Sequence, residues 1–264
     1  MSASVDRSAR LPVGEMLDAT WHEGRAGFGT YASLCIIPLS AVLLLRLGQA
    51  VYEPRSLLDP GGWSDEVEWS SKLFLMLLAE AVTILALVPA FTAWHRYLAL
   101  GPADPAVRLS YSFGDEEWRY LNVALRLGVL YLIPALFGLA LWDEFGFPPG
   151  ETNLFLILAW LPLARWLLLF PAAAVGRVVE GRWRDWAVPG NALRLWLVVA
   201  VPETIGWLVD MWGLAALSSE EPQIAPAVIY ALFNVAIEFV TSAFAVAALS
   251  ISYRRLVHAA GETS

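Results

Sequence analysis

The chain alternates long apolar blocks with short polar connections, and the blocks have the length of membrane-crossing helices. Six are read: about 28–50, 72–94, 122–142, 153–175, 192–217 and 224–251. Each is close to the 20 apolar residues a helix needs to cross the hydrocarbon core. Three are preceded by stretches that mix apolar and charged positions at helical spacing, the pattern of a helix lying in the membrane surface. Before helix 1, Leu11, Val13, Met16, Leu17 and Trp21 stand against Glu15, Asp18 and Glu23. Similar approaches end in Trp118 before helix 3 and in Trp186 before helix 5. Asp59-Pro60-Gly61-Gly62, Pro148-Pro149-Gly150 and Glu220-Glu221-Pro222 mark the turns opposite. The expected fold class is an all-α membrane protein of six transmembrane helices paired as three hairpins. An N-terminal segment 1–27 precedes the membrane domain 28–252, and a tail 253–264 follows it.

Two stretches repeat one arrangement. Trp118 and Trp186 are each followed six residues later by Ala-Leu-Arg-Leu (124–127 and 192–195). Pro134 and Pro202 each lie eight residues beyond the arginine. Glu80 precedes Arg96 by sixteen residues, as Glu238 precedes Arg254. The three hairpins are therefore expected to be parallel repeats, because each unit has two spans.

Charge orients this scheme. The N-terminal segment (Arg7, Arg10, Arg25), the 2–3 loop (Arg96, Arg108, Arg119) and the 4–5 loop (Arg177, Arg182, Arg184) carry three arginines each, and the tail has Arg254 and Arg255. On the other side the loops are acidic, with Arg55 and Lys72 as the only bases. The positive-inside rule then puts both termini on the cytoplasmic side of the membrane. Trp21, Trp94, Trp118, Trp142, Trp183 and Trp186 fall at span ends as an aromatic belt. The N-terminal segment lacks an apolar core followed by a cleavage site, so no removable signal peptide is expected.

Composition excludes more than it indicates. At 58% hydrophobic and 16% charged the chain is too apolar for an ordinary soluble domain. There is no basic tract for nucleic acid. The one cysteine, Cys35, reads as a small buried apolar side chain. His22, His95 and His258 have no metal-ligand spacing on a common helix. Asp115-Glu116-Glu117 reads as a solvated helix start. No nucleophile elbow, P-loop or dinucleotide fingerprint occurs. Neither enzymatic activity nor a cofactor is expected.

The words Ala19-Thr20-Trp21 with Gly24-Arg25, and Trp186 with Gly190-Asn191 and Arg194-Leu195, carry a resemblance. The chain resembles uncharacterised bacterial polytopic membrane proteins of the type of the membrane domain attached to some glycerophosphodiester phosphodiesterases. That resemblance implies helical hairpins in the inner membrane. It implies no chemistry, because the phosphodiesterase activity belongs to a separate soluble domain.

Candidate functional positions follow from depth. An ionisable side chain at the bilayer centre costs about 2.5–3.5 kcal/mol, so it marks a site unless it serves packing. Glu80, Arg165, Glu203 and Glu238 fall near mid-depth, and Asp210 lies further outward. One reading is a buried ion pair that holds helix 4 against its neighbours. The other is a polar cavity that binds a polar or zwitterionic head group or relays protons. Arg46, Arg126 and Arg194 sit near span ends and can snorkel to the interface. Arg182, Trp183, Arg184 and Trp186 suit an anionic lipid surface. The prolines Pro38, Pro89, Pro134, Pro162, Pro171 and Pro202 read as kinks that serve packing.

The sequence thus points to a non-enzymatic integral membrane protein acting through lipid or protein contacts. A small-molecule or lipid transporter with a polar site around Arg165 is the alternative. The partners implied are membrane lipids, and a membrane protein or a second copy of the chain.

Overall fold

Polarity changes along the chain do not break its helices. In the computed structural model, α1 runs unbroken over Val13–Tyr52 and joins the amphipathic approach to the first apolar block. α3, Asp115–Phe145, does the same for the third block. A backbone ladder ends where a donor is lost or a left-handed residue intervenes, not where side chains turn apolar. The structure describes residues 11–52, 66–102, 113–145, 158, 161–176, 190–217 and 223–259; in α2 and α3 the side chains of 66–80 and of most residues after 131 lie outside the description.

α2 spans Glu66–Leu100. It stops at Gly101, whose φ of 92° places it in the left-handed region and whose N–H donates to the Tyr97 carbonyl. The fourth block departs from the expected continuous span over 153–175. Its described part is a turn at 161–163, a 3-10 helix Ala164–Leu168 and a six-residue α4, Leu169–Ala174. Pro162 lies in that turn and Pro171 in the first turn of α4, and each removes a backbone donor. Gly176 ends the segment with a φ of 71°. α5 covers Asn191–Leu217 and α6 covers Ile224–Ala259. Pro38, Pro89, Pro134 and Pro202 lie inside α1, α2, α3 and α5, which continue through them.

Among the described residues the fold is helical without strands, and three helices are long and apolar enough to cross a membrane: α1, α5 and α6. α6 packs most extensively on α1 and then on α5, while α3 lies against α4 and α2. Both α1 and α6 have their chain-terminal ends on one side, here the terminal end; the opposite side is the loop end.

The main core gathers at the terminal end. Tyr31, Trp94, Leu127, Leu168, Ala172, Leu195 and Val246 belong to one buried cluster fed by every helix. Glycine lets the helices close. A Cβ on Gly27 would stand 2.5 Å from the Trp94 ring, and one on Gly24 3.1 Å from Phe244. The Trp94 indole N–H, fully buried, donates to the Ala243 carbonyl at 3.2 Å. Towards the loop end α5 buries Gly206 and Gly213, where Thr241 and Phe233 of α6 fill the space a side chain would need.

Candidate functional site

Two polar groupings stand out, one at each end of the bundle. At the terminal end α3 begins with three acidic residues, which favours its N-terminal dipole. The Glu117 carboxylate turns back and accepts from the Gly114 N–H at 2.8 Å, one half of a capping box. That turn buries Glu117 to 4% exposure, so it needs a cation. Arg96, from the last turns of α2 and 7% exposed, supplies it. Its Nη1 is 3.5 Å from Glu117 and its Nη2 is 3.2 Å from Glu116, the latter off hydrogen-bond alignment. Its Nε donates to the Ala174 carbonyl at 2.6 Å, capping α4. Glu116 is held below the usual carboxylate range, first by a hydrogen bond from its own backbone N–H, then by Arg96, against the opposing cost of burial. Arg119 completes the clasp by donating to the Gly176 carbonyl at 3.3 Å.

His95, beside Arg96, is fully buried. Its Nδ1 lies 2.7 Å from Ser250 Oγ and its Nε2 3.3 Å from Tyr120 OH. Ser250 Oγ also donates to the Val246 carbonyl at 2.8 Å. One hydroxyl proton cannot serve both contacts, so the consistent assignment has Nδ1–H donating to Ser250 and Nε2 accepting from Tyr120. A serine beside an imidazole has the parts of a nucleophile and its base. Here the serine proton is committed to a carbonyl, and neither residue is accessible. The set ties α2 to α3 and α6.

α6 closes the same end in a parallel way. Arg254 donates to the Leu98 carbonyl at 2.9 Å and pairs with Glu23, and Arg255 pairs with Glu15 at 2.9 Å. Arg96 and Arg254, matched by their spacing from Glu80 and Glu238, thus do similar work. Each caps a helix end and holds a carboxylate from an approach stretch. Leu11 N–H, donating to Asn191 Oδ1 at 3.1 Å, ties the first approach to the start of α5.

The second grouping lines the seam of α1, α5 and α6 towards the loop end. Asp210 accepts from Tyr230 OH at 3.0 Å and from Asn234 Nδ2 at 2.9 Å. Arg46 donates to Gln49 at 3.2 Å and reaches Glu238 at 3.9 Å. Glu203 stands close enough to Glu238 to interact with it electrostatically. Residues 230, 234 and 238 recur every four positions, which puts them on one face of α6. The Glu238 side chain is 50% exposed, whereas that of Arg46 is 19% exposed. Chemically the seam combines a guanidinium, three carboxyl groups and two neutral donors inside an apolar wall.

The positions singled out by depth are placed as follows. Glu203 on α5 and Glu238 on α6 are close enough to interact electrostatically, and Arg46 of α1 is a cation beside Glu238. Arg165 sits on the 3-10 helix, exposed, with its guanidinium 5.9 Å from the Trp166 ring centroid. The Glu80 side chain lies outside the described residues, as do Arg182, Trp183, Arg184 and Trp186. Among the described residues no group of three or more His, Cys, Asp or Glu could hold a metal ion. The Arg96 clasp was not foreseen; the signal for it was Glu117 three residues after Gly114. No family model, no curated protein and no solved structure matches this chain.

Proposed function

We propose that the protein is a non-enzymatic, multi-pass integral membrane protein of the bacterial cytoplasmic membrane, acting through lipid or protein contacts. The observation that carries this reading is the outward face of its apolar helices. Of the most apolar stretch of α5 only 22% is buried within the bundle, and of α1 only 28%. Water would penalise such surfaces heavily, whereas lipid does not.

The finer scheme is six crossings as three repeated hairpins with both termini cytoplasmic. Support for the repeat comes from burial. Leu127 and Leu195, equivalent in the two cassettes, are 2% and 1% exposed. The equivalent pairs Leu125 and Leu193, Val129 and Leu197, Ile133 and Val201, and Phe137 and Ile205 are all exposed. Support for the orientation is the arginine distribution. The proposed relationship to phosphodiesterase-linked membrane domains rests on the short words around Trp21 and Trp186.

The test is extraction and topology. The chain should stay in the pellet after alkaline carbonate. Green fluorescent protein should fluoresce when fused after residue 264, and alkaline phosphatase should be active when fused in 218–222. Release by carbonate would overturn the reading.

A second reading, transport of a small molecule or lipid through a mid-membrane polar site around Arg165, is favoured by the approach of Glu203 to Glu238. It requires Arg165→Ala and Glu238→Gln to abolish flux of phosphoglycerol or phosphoethanolamine from proteoliposomes at unchanged expression. Unchanged flux in both variants would remove it.

A further inference from the structure

We propose that the protein holds anionic phospholipid at two places in the terminal-end leaflet, with Arg126 of α3 and Arg194 of α5 gripping the headgroup phosphate. This rests on the membrane reading above and names the lipid within it.

Arg126 and Arg194 are the arginines of the two Ala-Leu-Arg-Leu words. Each stands on an outward stripe of its helix. On α3, Trp118, Asn122, Arg126, Val129 and Ile133 recur at spacings of three and four, so they share one face. All five are exposed. On α5 the partly exposed Arg194 leads in the same way to exposed Leu197, Val201 and Ile205. In both helices the stripe turns apolar three residues after the arginine. Among the described residues neither guanidinium has a hydrogen-bond or ion-pair partner.

The arginines of α2 and α6 differ. Arg96 and Arg254 are taken up by carboxylates and carbonyls within the bundle. Helix direction accounts for the contrast. A Cα–Cβ bond tilts towards the N-terminus of its helix. α3 and α5 start at the terminal end, where Glu117 meets Arg96 and Asn191 accepts from Leu11 N–H. The stems of Arg126 and Arg194 therefore set off towards the membrane surface. α2 and α6 finish at that end, so the stems of Arg96 and Arg254 set off away from it.

A charged guanidinium cannot rest among acyl chains, and a long stem lets it rise to the headgroups. The anionic oxygens of a phosphodiester fit its planar fork. In a zwitterionic lipid the phosphate is offset by the lipid's own ammonium. In an anionic lipid it is not, and the arginine meets the full attraction. The chain has a net charge of −8, so a preference for anionic lipid has to arise at local sites.

The test compares spin-labelled phosphatidylglycerol with spin-labelled phosphatidylcholine around the full chain in phosphatidylcholine bilayers. Electron paramagnetic resonance reads the fraction of each probe that the protein immobilises. Wild type should select phosphatidylglycerol several-fold. Arg126→Gln and Arg194→Gln should each lose part of that excess, and the double variant nearly all of it. Arg255→Gln removes the same charge at the same end, from a residue paired with Glu15, and should leave the selectivity intact. No selectivity in wild type, selectivity that survives in the double variant, or an equal loss in Arg255→Gln would overturn the proposal. The phosphatidylcholine probe tests the membrane reading separately. A chain that immobilises none of it is not embedded in lipid. A chain that immobilises both probes alike keeps the membrane reading and loses only the anionic-lipid sites.

Discussion

The terminal end and the loop end of this bundle use similar side chains to different effect. At the terminal end Arg96 is 7% exposed, engages two carboxylates and a carbonyl, and sits among buried Tyr120, His95 and Ala174. At the loop end Arg46 reaches Glu238 at 3.9 Å, and that carboxylate is half exposed. The difference lies in what surrounds the charge. A buried guanidinium against a buried carboxylate, Arg96 with Glu117, that also caps a helix-end carbonyl fixes the geometry of the helices that carry it, although the Glu116 side of the clasp is 41% exposed. A pair open on one side holds little on its own, but leaves the charge able to meet something else. The terminal end therefore reads as the part that sets the fold, and the loop-end seam as the part available for contacts.

The largest effect expected from this contrast is that of Arg96→Ala. It leaves Glu117 buried without its cation, a change that costs about 3–5 kcal/mol. Thermal unfolding in detergent should show a large drop in midpoint, and a drop no greater than that of Arg46→Ala would erase the contrast. Gly27→Ala comes next. The added methyl meets the rigid Trp94 ring, so about 1–3 kcal/mol is expected, readable in the same assay.

His95 gives a pH test of similar size. Burial pushes its imidazole below the ordinary 6.5, to about 3. The unfolded chain then takes up the proton first as pH falls. The stability that neutral His95 contributes is present above about pH 6.5, declines as pH falls, and is lost by about pH 3. By pH 5 the decline is about 2 kcal/mol. Unfolding midpoints between pH 7.5 and 5 should fall less steeply for His95→Asn than for wild type; equal slopes would mean that water reaches the imidazole. Smaller still is Asp210→Asn, which weakens the bonds from Tyr230 and Asn234 by about 1 kcal/mol. Arg46→Ala should cost less than about 1 kcal/mol, as half-open pairs do.

Much of the helix content was legible because apolar length and turn residues dominate it. α5 and α6 begin within a residue of where the pattern placed them, at Asn191 and Ile224. The pattern separated each approach from its span at 27 and 121, where polarity changes. The backbone ladder runs on through both points, because neither carries a stop. Helix 4 shows the opposite limit. Its apolarity predicts a span, but two prolines nine residues apart and a 3-10 turn intervene.

Position along a span can be counted in the sequence, whereas direction around the helix cannot. Counting along spans singled out Glu203 and Glu238, which the structure places on two helices that pack together. It assigned Arg46 to the interface, because the count stops at Cα and a guanidinium reaches a further turn along the helix. The Arg96 clasp was hidden for a related reason. Three consecutive acids read as solvated, and only the fold of α3 against α2 and α4 shows that the third is buried.

The account depends most on lipid, not water, facing the outward stripes of α3 and α5. Spin labels at Val129, Ile133, Leu197 and Ile205, with Cys35 replaced, test this in nanodiscs. The account predicts fast relaxation by dissolved oxygen and slow relaxation by a water-soluble nickel chelate at all four positions. Efficient relaxation by the chelate at these positions would contradict it.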